Sequence, residues 1–141
     1  MRAPRLSTTN FKLCGAEAEF KRAVELNPAD ADTWIRYAEF SACMGRREES
    51  ITLATRAVNL EPVSGGINTT LVWALFLARR YEEAIAQCRD TVELDANQYR
   101  IYRYLGNAYA GQGKYREAVA ARERAHALDP GSTLPTGGLA T

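Results

Sequence analysis

The chain repeats itself every 34 residues, and this period constrains the fold more than any other feature of the sequence. An offset of that length aligns small and apolar residues in several columns. One column contains Ala23, Ala57, Thr91 and Ala125, and another contains Leu26, Leu60, Leu94 and Leu128. A period in this range indicates stacked supersecondary units, none of which can bury its apolar face alone. We therefore expect a solenoid rather than a fold built around one central core.

Each period contains two stretches with the spacing of an amphipathic helix. In the last period, Tyr102, Leu105 and Tyr109 share one helical face, and a second apolar stripe begins at Tyr115. The glycines in the segment 111–114 between them permit a sharp reversal of the backbone. The repeating unit is therefore predicted to be a helical hairpin.

The last unit resembles the tetratricopeptide repeat, a helix–turn–helix family of the same period. The residues that carry the resemblance are Tyr102, Leu105, Gly106, Tyr109, Ala118, Ala125 and Pro130. The resemblance implies an all-α, right-handed α-hairpin solenoid. The middle unit matches worst, with Asn68 in the column where the family usually has Trp. In chain order, the predicted parts are an irregular lead at 1–15, a half repeat consisting of a second helix at 16–30, repeats at 31–64, 65–98 and 99–132, and a flexible tail at 133–141.

A further stretch of the chain is similar to repeats at the C-terminal end of bacterial multidomain regulators. The segments that carry this similarity are 62–68 and 77–85. In those regulators, a winged-helix or other signalling domain stands upstream. Two alternatives remain open: a free-standing relative, or a part of a longer regulator.

The charge balance and the scarcity of reactive side chains argue against several functions. Lys and Arg number 18 and Asp and Glu number 17, whereas nucleic-acid binding requires a clustered excess of positive charge. No stretch approaches the roughly 20 apolar residues that span a bilayer. Three scattered cysteines and the single His126 offer neither a metal-ligand set nor a nucleophile–base pair. We therefore expect a cytoplasmic, non-enzymatic protein without metal, cofactor, nucleic-acid or membrane partners.

The resemblance also implies a concave groove, lined by the first helices of successive hairpins, that binds peptide segments. The residues in the groove columns are Ile35, Glu39, Trp73, Phe76, Leu77, Arg100, Arg103 and Asn107. Trp73, Phe76 and Leu77 would form a central apolar patch, and core packing is the alternative role for them. Arg100 and Arg103 could hold a carboxylate, or simply form a solvated charged face. The favoured function is a protein-interaction module that binds a partner peptide or helix in this groove.

One subtype of the family grips the C-terminal carboxylate of heat-shock chaperones, and it fits this sequence poorly. That subtype has a basic and an amide residue in the first groove helix, where this chain has Ile35 and Glu39. Of the basic pair in the third groove helix only Arg100 is retained, because Tyr104 occupies the other column. Chaperone tails are therefore not the expected ligands.

Self-association at the N-terminal side is the alternative function. Phe20 and Val24 would face the place of a missing helix, and an uncovered apolar patch is uncommon in a soluble monomer. A twofold pairing would let each copy shield the other. The chain would then be a homodimerisation element of a larger bacterial regulatory or signalling system. At the opposite end, Arg122 and His126 replace the apolar residues of their columns, which predicts that the array stops there.

Overall fold

The computed structural model describes residues 8–129 and gives side chains from Gly15 onward, and all regular structure in this part of the chain is helical. The expected all-α helical solenoid is confirmed. Its helices are α1 (Thr8–Leu26), α2 (Ala31–Cys43), α3 (Arg47–Leu60), α4 (Gly65–Leu77), α5 (Tyr81–Leu94), α6 (Tyr99–Gly111) and α7 (Tyr115–Leu128). None of the described helices is long and apolar enough to cross a membrane.

The helices form two layers of unequal spacing. Helices α2 and α3, α4 and α5, and α6 and α7 pair as hairpins, and each hairpin contacts the next. The first helices also contact one another, α2 with α4 and α4 with α6, whereas no such contacts join the second helices α3, α5 and α7. The layer of first helices is therefore the more tightly spaced one, which makes it the concave side of the described array.

Small residues allow the close approach of paired helices. Ala57, Thr91 and Ala125, which occupy one column of the repeat, are completely buried. Ser50 is also completely buried, and its hydroxyl donates to the carbonyl oxygen of Ala38 at 2.8 Å across the hairpin. Because a buried hydroxyl without a partner is costly, this bond makes a serine acceptable where other units have alanine.

The repeat at 65–98, which matches the family pattern worst, replaces the usual Trp with a residue that makes an equivalent hydrogen bond. Trp34 Nε1 donates to the carbonyl oxygen of Pro28 at 2.8 Å. One period later, Asn68 Nδ2 donates to the carbonyl oxygen of Pro62 at 3.0 Å, and Gln87 Nε2 donates to Asn68 Oδ1 at 2.6 Å. Asn68 therefore holds the same loop carbonyl as Trp34, with a much smaller side chain.

The N-terminal part differs from the sequence expectation. The segment expected as an irregular lead is helical from Thr8 onward, and α1 continues without a break to Leu26. The tail at 133–141 and residues 1–7 lie outside the described part of the chain. The single long helix replaces the predicted boundary between residues 15 and 16.

Phe20 and Val24 pack inward against α2 and do not form an exposed patch. The ring of Phe20 stacks on Tyr37 with 5.7 Å between centroids and lies 5.5 Å from the ring of Phe40. Val24 is 9% exposed and belongs to the hydrophobic core. In the repeat, residues in these columns of a second helix pack against the hairpin that follows. Here the following hairpin begins with α2, which packs against α1. The surface that the self-association hypothesis requires is therefore already covered.

Candidate functional site

A cavity of about 410 Å³ lies on the concave side, between the three first helices. Its lining residues are Glu39, Cys43, Gly66, Thr69, Thr70, Trp73, Gln98, Arg100 and Tyr104. Helix α2 contributes a carboxylate and a thiol, α4 contributes hydroxyl groups and a half-exposed indole, and α6 contributes a guanidinium and a phenol. The cavity thus joins side chains from all three repeats in one concave site.

The floor of this cavity is held in place by Gln98. The hydroxyl oxygen of Thr69 lies 2.9 Å from Gln98 Oε1 and 2.7 Å from the carbonyl oxygen of Gly65. A Cβ at Gly65 would overlap Gln98 Nε2, so a larger residue there would displace the Gln98 side chain. This arrangement fixes the first turn of α4 against the residue that precedes α6.

A second cavity, of about 370 Å³, continues the first along α6. Its lining residues are Arg100, Arg103, Tyr104 and Asn107, of which Arg100 and Tyr104 also line the first cavity. Among the described residues, no salt bridge includes Arg100, Arg103 or Glu39. Within the described part of the chain, the charges of the groove are therefore not neutralised, and the two signs lie on different helices.

Tyr104 stands at the junction of the two cavities as a neutral hydroxyl. Burial raises the pKa of Tyr104, and the positive charges of Arg100 and Arg103 oppose that rise. Its ring packs against Phe76, with 6.4 Å between centroids, and Phe76 in turn packs against Tyr81 at 6.0 Å. The aromatic cluster of Phe76, Tyr81 and Tyr104 thus supports the wall of the groove.

The structure places five of the predicted groove residues at the two cavities and the other three elsewhere. Those at the cavities are Glu39, Trp73, Arg100, Arg103 and Asn107. Ile35 is 8% exposed and belongs to the hydrophobic core, so its predicted place in the groove is wrong. The helical position of Ile35 directs its side chain between the layers, where apolar burial is favourable. Phe76 and Leu77 are half-buried and line neither cavity.

Sequence reasoning did not identify Gln98 as a groove residue, and it named Tyr104 only as the residue in a column where one subtype of the family has a basic side chain. Tyr104 lies one helical turn after Arg100, so the register alone could have placed both on the same face. Gln98 precedes α6, and its reach to Thr69 depends on the loop conformation, which leaves no periodic signal. Of the thiols, Cys43 is exposed and lines the groove, whereas burial raises the pKa of Cys88 to about 12 and keeps it protonated.

Comparison with known proteins agrees with the observed repeat. Residues 99–132 match the family profile described as tetratricopeptide repeat. The chain is 37% identical over 103 residues to the Hsp70-Hsp90 organizing protein of Triticum aestivum, an alignment that covers 73% of this chain. It spans only 17% of the length of that relative.

Solved structures share the fold at lower identity. The crystal structure of MamA is similar with a TM-score of 0.77 and 20% identity, over 91% of this chain and 78% of that one. The first tetratricopeptide repeat domain of Spaghetti (RPAP3), bound to the HSP90 peptide SRMEEVD, has a TM-score of 0.71 and 23% identity, over 77% and 86% of the two chains. With the period and the hairpin layers, these similarities show that residues 99–132 match a tetratricopeptide repeat and that the described chain shares the fold of solved tetratricopeptide repeat domains.

Proposed function

We propose that the chain is a non-enzymatic protein-interaction module that binds a partner peptide or helix in the groove formed by α2, α4 and α6. The observation that carries the proposal is the pair of adjoining cavities, which share Arg100 and Tyr104 and are lined by charged groups that form no salt bridge with any described residue. The Spaghetti domain, which is similar in fold and was solved with a bound peptide, supports a peptide as the class of ligand. Free thiols at Cys43 and Cys88 support a reducing, cytoplasmic location.

The lining of the groove favours a ligand with an apolar and an acidic residue. Trp73 offers half-exposed aromatic surface, and aromatic anchors often dominate the affinity of an interface. Arg100 and Arg103 offer charged donors to an acidic group, whereas Glu39 repels one on the α2 side. The opposite charges would give the bound segment a preferred direction.

Chaperone C-terminal peptides are not the favoured ligand, although the curated relative is an Hsp70-Hsp90 organizing protein. The groove of this chain has Glu39 on α2, where that subtype carries a basic or amide residue, and Ile35 belongs to the core. Self-association through Phe20 and Val24 has no support either, because both side chains pack against α2.

A peptide-display selection on the immobilised chain tests the proposal. It should enrich peptides that contain an acidic and an apolar residue. Arg103→Ala should weaken the binding of a selected peptide about tenfold at low salt. It should also flatten the salt dependence of binding, because the variant lacks the charge whose attraction salt screens. Trp73→Ala should weaken the same peptide at every salt concentration, as measured by fluorescence anisotropy.

Arg116→Ala is the matched control for Arg103→Ala. Arg116 is exposed on α7, away from both cavities, and its removal changes the net charge equally. A selection without acidic enrichment, or an equal effect of the two arginine variants, contradicts the role of Arg103. If Trp73→Ala binds normally while remaining folded by circular dichroism, the indole is not the anchor.

A further inference from the structure

The two tryptophans of the chain differ in what lies over their indole rings. The guanidinium of Arg56 lies over the ring of Trp34, 5.2 Å from its centroid. Among the described residues, no Lys or Arg lies over the ring of Trp73 in this way. The ring of Trp73 is half-buried and lines the first cavity on the concave side. The groove therefore contains an aromatic face without a cation of its own.

The carboxylate of Glu39 also lacks a cation within the described part of the chain. Asp32, on the same helix, pairs with Arg36 at 3.6 Å, whereas no salt bridge there includes Glu39. Glu39 is exposed on α2 and lines the first cavity, to which the adjacent helix α4 contributes Trp73. The other α2 and α4 residues that line this cavity carry no charge, namely Cys43, Gly66, Thr69 and Thr70.

A carboxylate and an indole at one cavity suit a basic side chain of a ligand. The face of an indole attracts a cation, and a carboxylate accepts charge-assisted hydrogen bonds from one. The aliphatic stem of Lys or Arg can cover the ring of Trp73 while the charged end reaches Glu39. A wholly apolar side chain would cover the ring but leave the carboxylate without a partner, and an acidic side chain would be repelled by it.

Arg100, on the opposite wall, gives the bound segment its direction. It lines the first cavity from α6, and it also lines the second cavity together with Arg103. Because like charges repel, a basic side chain is directed to the α2–α4 side and an acidic group to α6. With packed helix axes about 8–10 Å apart and an advance of about 3.3 Å per extended residue, two charged residues about four to six positions apart can reach both sides.

We propose that Glu39 and Trp73 form a subsite for a basic side chain of the bound segment. The inference rests on the proposed function, since it names a class of residue that the groove accepts. The stem of the basic residue supplies the apolar contact with the indole, and its charge pairs with Glu39. The segment binds in one direction, because reversal would place each of its charges beside a like charge.

Capped amino acids test the subsite without a partner peptide. The ¹⁵N-labelled full chain is titrated at constant ionic strength with the Nα-acetyl amides of lysine, arginine and norleucine. Both basic probes should give saturable shifts of the Trp73 Nε1 resonance, whereas Trp34, whose ring already carries Arg56, should not respond. Norleucine has an apolar stem without the charge, so it should bind about fivefold more weakly. The tighter of the two basic probes identifies the preferred side chain.

Variants of Glu39 separate a direct contact from a change in net charge. Glu39→Gln keeps the shape of the side chain and should weaken the basic probes about fivefold, with little effect on the norleucine probe. Glu123→Gln is the matched control, because Glu123 is exposed on α7 and lines neither cavity. Trp73→Leu keeps an apolar side chain but removes the aromatic face, and it should also weaken the basic probes, as followed on the amide of Thr70.

A charge exchange tests the same contact in peptides selected on the chain. Changing the basic residue of a selected peptide to glutamate should weaken its binding to the native chain about tenfold. Glu39→Arg should restore most of that loss for the changed peptide and weaken the unchanged one. The two charges attract in either arrangement only if they are in contact, so the exchange reports on this pair alone.

Several results would overturn the inference. They are equal binding of the lysine and norleucine probes, equal effects of Glu39→Gln and Glu123→Gln, and no recovery in the charge exchange. Failure of the subsite leaves selected peptides bound but without a basic residue and insensitive to Glu39→Gln. Failure of the proposed function leaves the basic probes bound at Trp73 while no peptide is selected.

Discussion

Arg79 occupies a backbone conformation that glycine adopts at the equivalent turns. Its φ is +60°, and Gly45 and Gly113, which lie one period before and after it, have φ values of +80° and +78°. An L-residue in this region costs about 1–2 kcal/mol, because its Cβ approaches the carbonyl oxygen. The hairpin between α4 and α5 therefore turns at the same place as the others, but with strain.

Arg79→Gly should therefore stabilise the chain by about 1 kcal/mol, since relief of strain exceeds the added freedom of glycine in the unfolded state. Urea denaturation followed by circular dichroism measures the change. Gly113→Ala is the reverse control and should destabilise the chain, because no atom lies near its added Cβ and only φ is affected. A lower stability of Arg79→Gly contradicts this account.

At the scale of single residues, the sequence shows which column of the repeat a residue occupies. It does not show how a different residue in that column replaces the contacts of the usual one. The absence of Trp at Asn68 is visible as a departure from the repeat. The amide bond to the Pro62 carbonyl is not visible, because it depends on the position of a loop. Ile35 was misplaced for a similar reason. The helical register assigns a residue to one face of the helix. It does not show whether a side chain near the edge of that face lies in the groove or in the core.

Among the elements, α1 depends on an ion pair as well as on Phe20 and Val24. The guanidinium of Arg46 hydrogen-bonds to the carboxylate of Glu17. This bond lowers the pKa of Glu17 below its ordinary value of 4.5, against a smaller effect of burial. Because the folded pKa is the lower one, the stabilisation is present above about pH 4.5 and is lost as the pH falls through the folded value.

Acid should therefore loosen α1 before it loosens α6. Amide protection factors in α1 should decline below about pH 4.5, when corrected for intrinsic exchange. Arg46→Met should remove most of this pH dependence, because Glu17 then loses its strongest partner. Arg36→Met, which breaks the exposed pair with Asp32 instead, should leave it in place. Equal pH dependence in the Arg46→Met variant and the native chain contradicts the role of the pair.

The beginnings and ends of the hairpin helices could be predicted from the period, whereas the start of α1 could not. The irregular lead at 1–15 was expected because this segment contains Pro4 and the polar run 7–10 and does not follow the repeat. Ser, Thr and Asn, however, are preferred where helices begin, because their side chains accept bonds from free amide groups. A polar run outside the repeat pattern is thus compatible with a helix, and α1 begins at Thr8.

For the whole molecule, the groove follows from unequal spacing of the two layers. Contacts along α2, α4 and α6, without equivalent contacts along α3, α5 and α7, bend the array toward its first helices. The family register could therefore predict Trp73, Arg100 and Arg103 at the groove. It could not predict that Arg122 reaches Asn107, since that contact joins two helices and the stem of Arg122 passes close to Gly106.

The most direct test of the account is to map where a selected peptide binds. In ¹H–¹⁵N spectra of the full chain, we expect the largest shifts in α2, α4 and α6, with the indole Nε1 of Trp73 and the amides near Glu39 and Arg103 among them. Amides of α3, α5 and α7 should change little, including those of the exposed α7 residues Tyr115 and Val119. Shifts concentrated on α7 or on the convex helices would contradict a binding site in the groove.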